Sequence, residues 1–202
     1  ATNTAVGHNS LHSNTTASSN TAVGLNSLYA NTTGSGNTAI GGGNTLDNNT
    51  TGSNNVAMGN NALDANTTAS DNTALGAGAM FATTTGCQNV AVGRKALFNN
   101  ITGDNNTAIG HCALKVNTVD NNTALGHSAL IANTTGANNV AVGFSSLCAN
   151  TTGAGNVAIG RNALFTNTTG TENVAIGLYA LNANTTGDRN VAIGCGALDA
   201  NT

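Results

Sequence analysis

Three observations predict an all-β protein, a parallel β-solenoid (β-roll) of about 12 coils. The pentapeptide Asn-(Thr/Val)-Ala-aliphatic-Gly recurs twelve times in 202 residues. The copies are almost always seventeen residues apart, and a fixed period of this size is typical of stacked repeats. Each copy also contains a short β-compatible run, such as Val56-Ala57-Met58 before Gly59, whereas the intervening Asn, Thr and Gly residues are poor helix formers.

Repeat positions are numbered from the asparagine that opens each copy, with the copy from Asn156 to Glu172 as the type. Positions 1, 3 and 5 are Asn, Ala and Gly, position 2 is Thr or Val, and position 4 is aliphatic. Position 9 is Leu except at Met80, and position 12 is Asn except at Thr83. Coils 1 to 12 open at Asn3, Asn20, Asn37, Asn55, Asn72, Asn89, Asn106, Asn122, Asn139, Asn156, Asn173 and Asn190.

The orientation of the strand is inferred from the alternation of side chains along it. Positions 2 and 4 share one face, and position 3 lies on the other. Because the larger aliphatic residues stand at position 4, we expect positions 2 and 4 to face the interior and the alanine to face outward. A second short strand is expected to carry the leucine of position 9 inward from the opposite side, giving two parallel sheets.

Asparagine and glycine are assigned to the corners of each coil. A buried corner must satisfy its backbone polar groups, so the asparagines of positions 1 and 12 are predicted to form structural ladders that bond to turns and to neighbouring coils. The glycines of positions 5 and 15 are expected to provide positive φ. The period slips to eighteen residues in Asn37 to Asn54 and to sixteen in Asn106 to Asn121, and both slips are predicted to lie in turns.

Composition limits the classes of function. The repeat covers residues 1–202 as one continuous array, which we expect to be an excerpt of a longer fibre protein. Only 6% of residues are charged and the net charge is −3, which argues against nucleic-acid binding, because phosphate neutralisation needs clustered basic residues. No apolar run approaches the roughly 20 residues of a membrane span. The four cysteines occupy different repeat positions, so disulfides, which need Cα atoms within about 7 Å, are not expected.

No catalytic, cofactor or metal site is predicted. The sequence shows no nucleophile with a matching base, no paired carboxylates at a recurrent position and no Cys-x-x-Cys pair. The chain is therefore not expected to be an enzyme. His111 and His127 share position 6 in adjacent coils, and a metal bridging them is the alternative, but Leu25 and Phe144 at the same position favour a solvated column.

Position 10 carries the candidate surface-binding residues, which are Tyr29, Phe81, Phe98 and Phe165. Phe81 and Phe98 lie in adjacent coils and are expected to stack. An exposed aromatic pair can contact a sugar or a receptor, and simple edge packing is the other interpretation.

The repeat also creates a low-priority set of glycosylation sequons and an array of threonine pairs. Coils about 4.8 Å apart leave little room for a glycan on each, and the threonine pairs suggest either a polar turn ladder or an ice-binding array. The sequon asparagines are Asn14, Asn31, Asn49, Asn66, Asn100, Asn133, Asn150, Asn167 and Asn184.

The invariant alanine is the main argument for a partner chain. Large aliphatic residues at only two positions per coil make a thin core, and an outward alanine that is never larger indicates that something packs closely against it. We therefore expect several copies of the chain to associate through their alanine faces.

The Asn-Val-Ala-Ile-Gly motif at residues 156–160, 173–177 and 190–194 resembles the head repeat of trimeric autotransporter adhesins of the YadA type. The longer pattern Asn-Thr-Ala-Ile-Gly…Ala-Leu…Asn-Thr-Thr-Gly is also similar to the repeat arrays of phage and bacterial fibre proteins. The resemblance covers the whole chain. It implies a left-handed parallel β-roll, three chains side by side as a homotrimer, and display on a cell or virion surface.

The function expected from these patterns is a structural or adhesive segment of an extracellular fibre, either the shaft or head of a surface adhesin or a viral tail fibre. Its partners would be further copies of the chain and a cell-surface or glycan receptor. The alternative is an ice- or carbohydrate-binding solenoid that uses threonine ladders or the aromatic residues of position 10.

Overall fold

The computed structural model describes residues 2–200 and shows a β-solenoid built on one parallel sheet. Twelve strands pair in chain order, joined by eleven circuits of the chain, and the prediction of an all-β parallel solenoid is confirmed. The strands are β1 (Thr4–Val6), β2 (Thr21–Val23), β3 (Thr38–Ile40), β4 (Val56–Met58), β5 (Thr73–Leu75), β6 (Val90–Val92), β7 (Thr107–Ile109), β8 (Thr123–Leu125), β9 (Val140–Val142), β10 (Val157–Ile159), β11 (Val174–Ile176) and β12 (Val191–Ile193).

The strands are in register, so each repeat position stacks on itself. Thr38 pairs with Val56 across the eighteen-residue coil, and Thr107 pairs with Thr123 across the sixteen-residue coil. The change in length therefore lies outside the strands, in the turns, as the sequence predicts. Residues that share a position consequently form columns that run the length of the solenoid, spaced by about 4.8 Å.

The predicted orientation of the strand is wrong. The alanine of position 3 is fully buried in coils 2 to 11, as Ala108 illustrates, while Ile109 and Leu125 at position 4 are 37% and 45% exposed. The buried cluster consists of the alanines of position 3, the small residues of position 8 and the leucines of position 9. Since the leucines occupy most of a narrow interior, the strand can direct only a methyl group inward.

The leucine of position 9 is buried as predicted, but it does not lie on a second strand, and the described residues form one sheet rather than two. Its backbone is left-handed, with φ of 49° at Leu97 and 52° at Met80. A left-handed L-residue costs roughly 1–2 kcal/mol, and the short coil requires this conformation to reverse direction while still directing a large side chain inward.

The glycines of positions 5 and 15 have different roles. At position 5, Gly143 has φ of 133°, as the sequence predicts for a corner. At position 15, Gly153 is not in the positive-φ region, so that part of the prediction is wrong. A Cβ atom there would collide with the carbonyl of Gly170 and with the side chain of Asn150, so this glycine permits a close approach between coils.

Two asparagine ladders hold the corner at position 15. In coil 9 the amides of Asn139 and Asn150 both donate to the carbonyl oxygen of Gly153, at 2.8 and 2.9 Å. The Asn139 side-chain oxygen also accepts the backbone N–H of Asn156 at 2.9 Å, and Asn150 donates to Asn133 in the preceding coil at 2.9 Å. In the regular coils the two ladders thus satisfy the buried turn and bond to the neighbouring coils, as buried polar groups require.

Candidate functional site

The outer face of the sheet is a continuous surface with a row of exposed and half-exposed aliphatic side chains. It consists of the side chains of positions 2 and 4, which project on the side away from the buried alanine. Position 4 provides a row of aliphatic side chains from Val6 to Ile193, and position 2 provides a parallel row of threonine and valine. We call this surface the outer sheet face.

Aromatic and imidazole rings stack along the columns of positions 6 and 10. Phe81 and Phe98 have centroids 5.1 Å apart and planes 9° from parallel, which is the stacking expected from the sequence. His111 and His127 stack at 5.1 Å, and His127 stacks on Phe144 at 5.2 Å. The histidines are therefore part of a continuous ring stack.

The other candidate residues of position 10 lie outside this pair. Tyr29 stacks on His12, with a centroid separation of 5.0 Å, and Phe165 is half-buried in coil 10. The structure therefore does not bring the four aromatic residues together into one surface, and the cavity beside Phe81 and Phe98 is not lined by Tyr29 or Phe165.

That cavity has a volume of about 240 Å³. It lies where the column of position 6 is reduced to a methyl group and the column of position 7 has no side chain. In coil 5, positions 6 and 7 are Ala77 and Gly78. The coil before it carries Asn60 and Asn61 at these positions, and the coil after it carries Arg94 and Lys95, so the coil-5 gap is bounded on both sides. Phe81 and Phe98 complete the lining. We call this cavity the coil-5 slot.

Positive charge is concentrated around the coil-5 slot. Arg94 is exposed, and its guanidinium lies 3.5 Å from the Nε2 atom of His111. The Lys95 ammonium lies 5.4 Å from the centroid of the Phe98 ring, a favourable cation–π distance. Lys115 follows Phe98 in the column of position 10. Three of the five basic residues of the chain therefore lie in coils 6 and 7.

An acidic pair occupies the same column on the other side of the phenylalanines. Burial raises the pKa of the Asp47 carboxyl. Burial also raises the pKa of Asp64, and the neighbouring charge of Asp47 raises it further. One buried oxygen of each carboxyl has no hydrogen-bond partner. Two like charges one coil apart are thus held in an unfavourable position at neutral pH.

Replacing Asp64 with asparagine is expected to stabilise the protein at neutral pH by only a few tenths of a kcal/mol, because charge interactions between partly exposed groups are weak. A raised folded-state pKa means that the folded state binds the proton more tightly, so stability decreases as pH rises above the ordinary carboxyl value of 3.8. Thermal unfolding at about pH 7 should show a higher Tm for the variant, and the gain should disappear below about pH 3.5, where both carboxyls are protonated.

The matched control for this prediction is Asp71→Asn, which neutralises an exposed carboxylate at position 17 of the same coil. It should change Tm little at either pH. An equal gain from both variants, or a gain for Asp64→Asn that persists in acid, would assign the effect to something other than the buried pair.

The sequon asparagines are interior residues. Eight of them, all except Asn14, are fully buried, and amides such as that of Asn150 donate to carbonyl oxygens inside the coil. The folded solenoid therefore does not present these eight nitrogen atoms for glycosylation, which argues against the low-priority set of sites drawn from the sequence.

The threonine pairs form a turn ladder. The hydroxyl of Thr151 donates to the carbonyl oxygen of Thr168 at 3.0 Å, and Thr134 donates to Thr151 in the same way at 2.9 Å. Their first hydroxyls thus connect adjacent coils, which favours the polar-ladder interpretation over a flat hydroxyl array at this position.

The coil-5 slot is the feature that sequence reasoning missed. The stacked phenylalanines can be predicted from their shared position, but the slot depends on what is lacking at Ala77 and Gly78. The signal was present in the sequence, because position 7 otherwise holds a side chain from Asn9 to Tyr179. A missing side chain at position 7 predicts a cavity only if position 7 is known to lie on the surface of the solenoid.

Comparison with known protein families and with curated proteins finds no match to this chain. Within residues 2–200, no helix is long and apolar enough to cross a membrane. The same residues contain no group of three or more His, Cys, Asp or Glu side chains placed to hold a metal ion. All four cysteines, which lie in this part of the chain, are free.

Proposed function

We propose that this chain is a structural segment of an extracellular fibre, the shaft or head of a surface adhesin or of a viral tail fibre. Three left-handed solenoids would associate side by side through their outer sheet faces. The observation that carries the proposal is the uninterrupted apolar row at position 4, on an in-register sheet of twelve strands. A surface that continues unchanged through every coil is more consistent with an extended structural segment than with a single local binding site.

The association surface differs from the one expected from the sequence. The alanine of position 3 is inside each coil and cannot contact another chain. The same requirement for close packing is met within the coil, where the alanine lies against the leucines of position 9. Positions 2 and 4 remain as the apolar surface available to a partner.

The dimensions of the outer sheet face are compatible with self-association. Eleven intervals of about 4.8 Å give a length of roughly 53 Å. With a width of about 10 Å, the face covers on the order of 500 Å², which is near the upper end for the largest apolar patch of a monomer. Two such faces in contact would bury about 1,000 Å², the lower limit of a specific interface.

Light scattering coupled to size-exclusion chromatography tests this proposal. The chain should elute as a trimer, and replacing Ile109 and Leu125 with lysine should shift it toward the monomer, because charged side chains would lose water at the interface without partners. Thr135→Lys places a lysine on an exposed turn of coil 8 and should leave the assembly unchanged. A parent chain that is monomeric at micromolar concentration contradicts the proposal.

A second candidate function, ice binding, uses the same surface. Position 2 places Thr4, Thr21 and Thr38 side by side on the outer sheet face, in register and beside an aliphatic row. Such a repeated lattice of hydroxyl and methyl groups could order water. Thermal hysteresis by a monomeric chain, lost in the Ile109→Lys and Leu125→Lys variant, would favour ice binding over fibre assembly.

A further inference from the structure

We propose that the coil-5 slot binds an acidic sugar, a single pyranose unit that carries a carboxylate. This activity goes beyond the structural role proposed above and does not depend on it. The slot is formed by positions 6, 7 and 10, which lie past the glycine corner from the outer sheet face, so self-association through that face leaves the slot open.

The slot is a local departure from a regular surface. Position 7 has a left-handed backbone in every coil and usually carries a side chain, as at Asn61 with φ of 58° and Lys95 with φ of 58°. Gly78 adopts the same conformation with φ of 66° and has no side chain. A Cβ atom there would lie 3.3 Å from the Phe98 ring, so the glycine opens the space beside the aromatic pair.

The aromatic pair offers an apolar surface suited to a sugar ring. The two rings stack with centroids 5.1 Å apart, close to the spacing of the coils. Both rings line the slot, so aromatic carbon surface borders the cavity. The C–H face of a pyranose can pack on such a surface while its hydroxyl groups reach the polar residues at the rim.

The polar rim provides both cations and amides. Arg94 and Lys95 border the slot on one side, and Asn60 and Asn61 border it on the other. Asn60 donates one amide hydrogen to Gly42, and its second amide hydrogen and side-chain oxygen remain to bond a hydroxyl group. An arginine fork with a neighbouring ammonium is the arrangement that recognises a carboxylate.

Size and charge favour a single acidic sugar over other anions. A cavity of about 240 Å³ is smaller than the roughly 300–1,000 Å³ typical of sites for drug-sized ligands, and it suits one monosaccharide. The chain has only five basic residues, and three of them lie in coils 6 and 7, so it offers no extended basic surface for a polyanion. The acidic pair Asp47 and Asp64 lies beyond Phe81 and outside the lining of the slot.

The test is an NMR titration of the intact chain with four small probes. Methyl β-glucuronide and methyl α-N-acetylneuraminide carry the carboxylate, methyl β-glucoside is the neutral match, and acetate is the bare anion. At least one acidic sugar should shift the Gly78 and Lys95 amide signals with a Kd about tenfold or more below that of the glucoside and of acetate. The acidic sugar with the lower Kd shows whether the slot prefers a uronic acid or a sialic acid.

Two variants replace slot residues with residues that the repeat already accepts at the same positions, and a third variant, outside the slot, is the control. Gly78→Asn fills the slot with the residue found at Asn61. Arg94→Leu with Lys95→Asn removes the cations, using residues found at Leu25 and Asn26. Each should weaken binding of the acidic sugar about tenfold or more, while Lys115→Asn, outside the lining, should weaken it less than threefold.

Several results would overturn the proposal. Equal affinities for the glucoside and the glucuronide would show that the slot does not recognise the carboxylate. An affinity for acetate equal to that for the acidic sugar would show that it does not recognise the sugar ring. Tighter binding of a capped Glu-Glu dipeptide would assign the slot to an acidic peptide instead. If Gly78→Asn fails to fold, judged by its circular dichroism, the charge-removal variant gives the decision, and unchanged affinity in that variant rejects the site.

Discussion

Replacing Ala108 with leucine is expected to lower the free energy of unfolding by about 3 kcal/mol, the upper part of the usual range for overpacking a core. Ala108 is fully buried and stacks on Ala91 and Ala124 in the adjacent strands. The leucines of position 9 fill the space opposite. The larger side chain must therefore displace a core leucine or separate two coils, and separating coils also breaks ladder hydrogen bonds.

The matched control is Thr107→Leu, which adds a similar side chain one residue earlier, on the outer sheet face. Its effect should stay within about 0.5 kcal/mol, as for most surface substitutions. Thermal unfolding, monitored by circular dichroism, ranks the two variants by their loss of stability. Amide hydrogen exchange around β7 locates the damage, because in a solenoid each coil contacts only its neighbours. A larger loss for Thr107→Leu than for Ala108→Leu would reverse the assignment of the two faces.

The orientation of the strand shows what periodicity can determine and what it cannot. Alternation places positions 2 and 4 on one face and position 3 on the other, and the pairing of Val157, Ala158 and Ile159 with their equivalents follows from the period. Alternation does not say which face is inside. The larger side chains normally identify the core, but here a coil of seventeen residues encloses so little space that Leu164 and two alanines fill its width.

The invariance of the alanine at position 3 is a better guide to packing than the size of the residues at position 4. A position that never accepts a larger residue indicates close contact, and the sequence alone leaves open whether the neighbour is another chain or the opposite side of the same coil. The decision needs the conformation of position 9, where a left-handed leucine such as Leu164, with φ of 51°, directs its side chain inward from a turn. Leucine is an unlikely residue for that conformation, so no propensity argument predicts it.

The asparagine ladders could be predicted in kind, and the structure shows where they are interrupted. Two position-12 side-chain oxygens, those of Asn66 and Asn100, are buried without a hydrogen-bond partner. Asn66 precedes Thr83, which has no amide to donate. Asn100 precedes Asn117 in the sixteen-residue coil, where the Asn117 amide donates to Val119 at 2.6 Å. These two unsatisfied oxygens thus lie next to departures from the repeat, the threonine at position 12 of coil 5 and the shortened coil 7.

Restoring the missing rung with Thr83→Asn is expected to raise the free energy of unfolding by about 1–2 kcal/mol. In the regular coils the position-12 amide donates to the preceding asparagine and to the position-15 carbonyl, as Asn150 does to Asn133 and Gly153. An asparagine at residue 83 can make the same bonds to Asn66 and Gly86. Leaving a buried acceptor unsatisfied costs about 1–3 kcal/mol, and the gain is reduced by loss of the 2.7 Å bond from the Thr83 hydroxyl to Asn100.

Thr85→Asn is the control, because it makes the same substitution at an exposed position in the same turn. It should leave Tm within experimental error, whereas Thr83→Asn should raise Tm and slow amide exchange in coils 4 to 6. The side-chain amide of the new asparagine should itself exchange slowly, which a gain from any other cause would not produce. A lower Tm for Thr83→Asn would mean that the threonine fits its coil better than the ladder does, and that the continuity of the ladder is not what stabilises this stack.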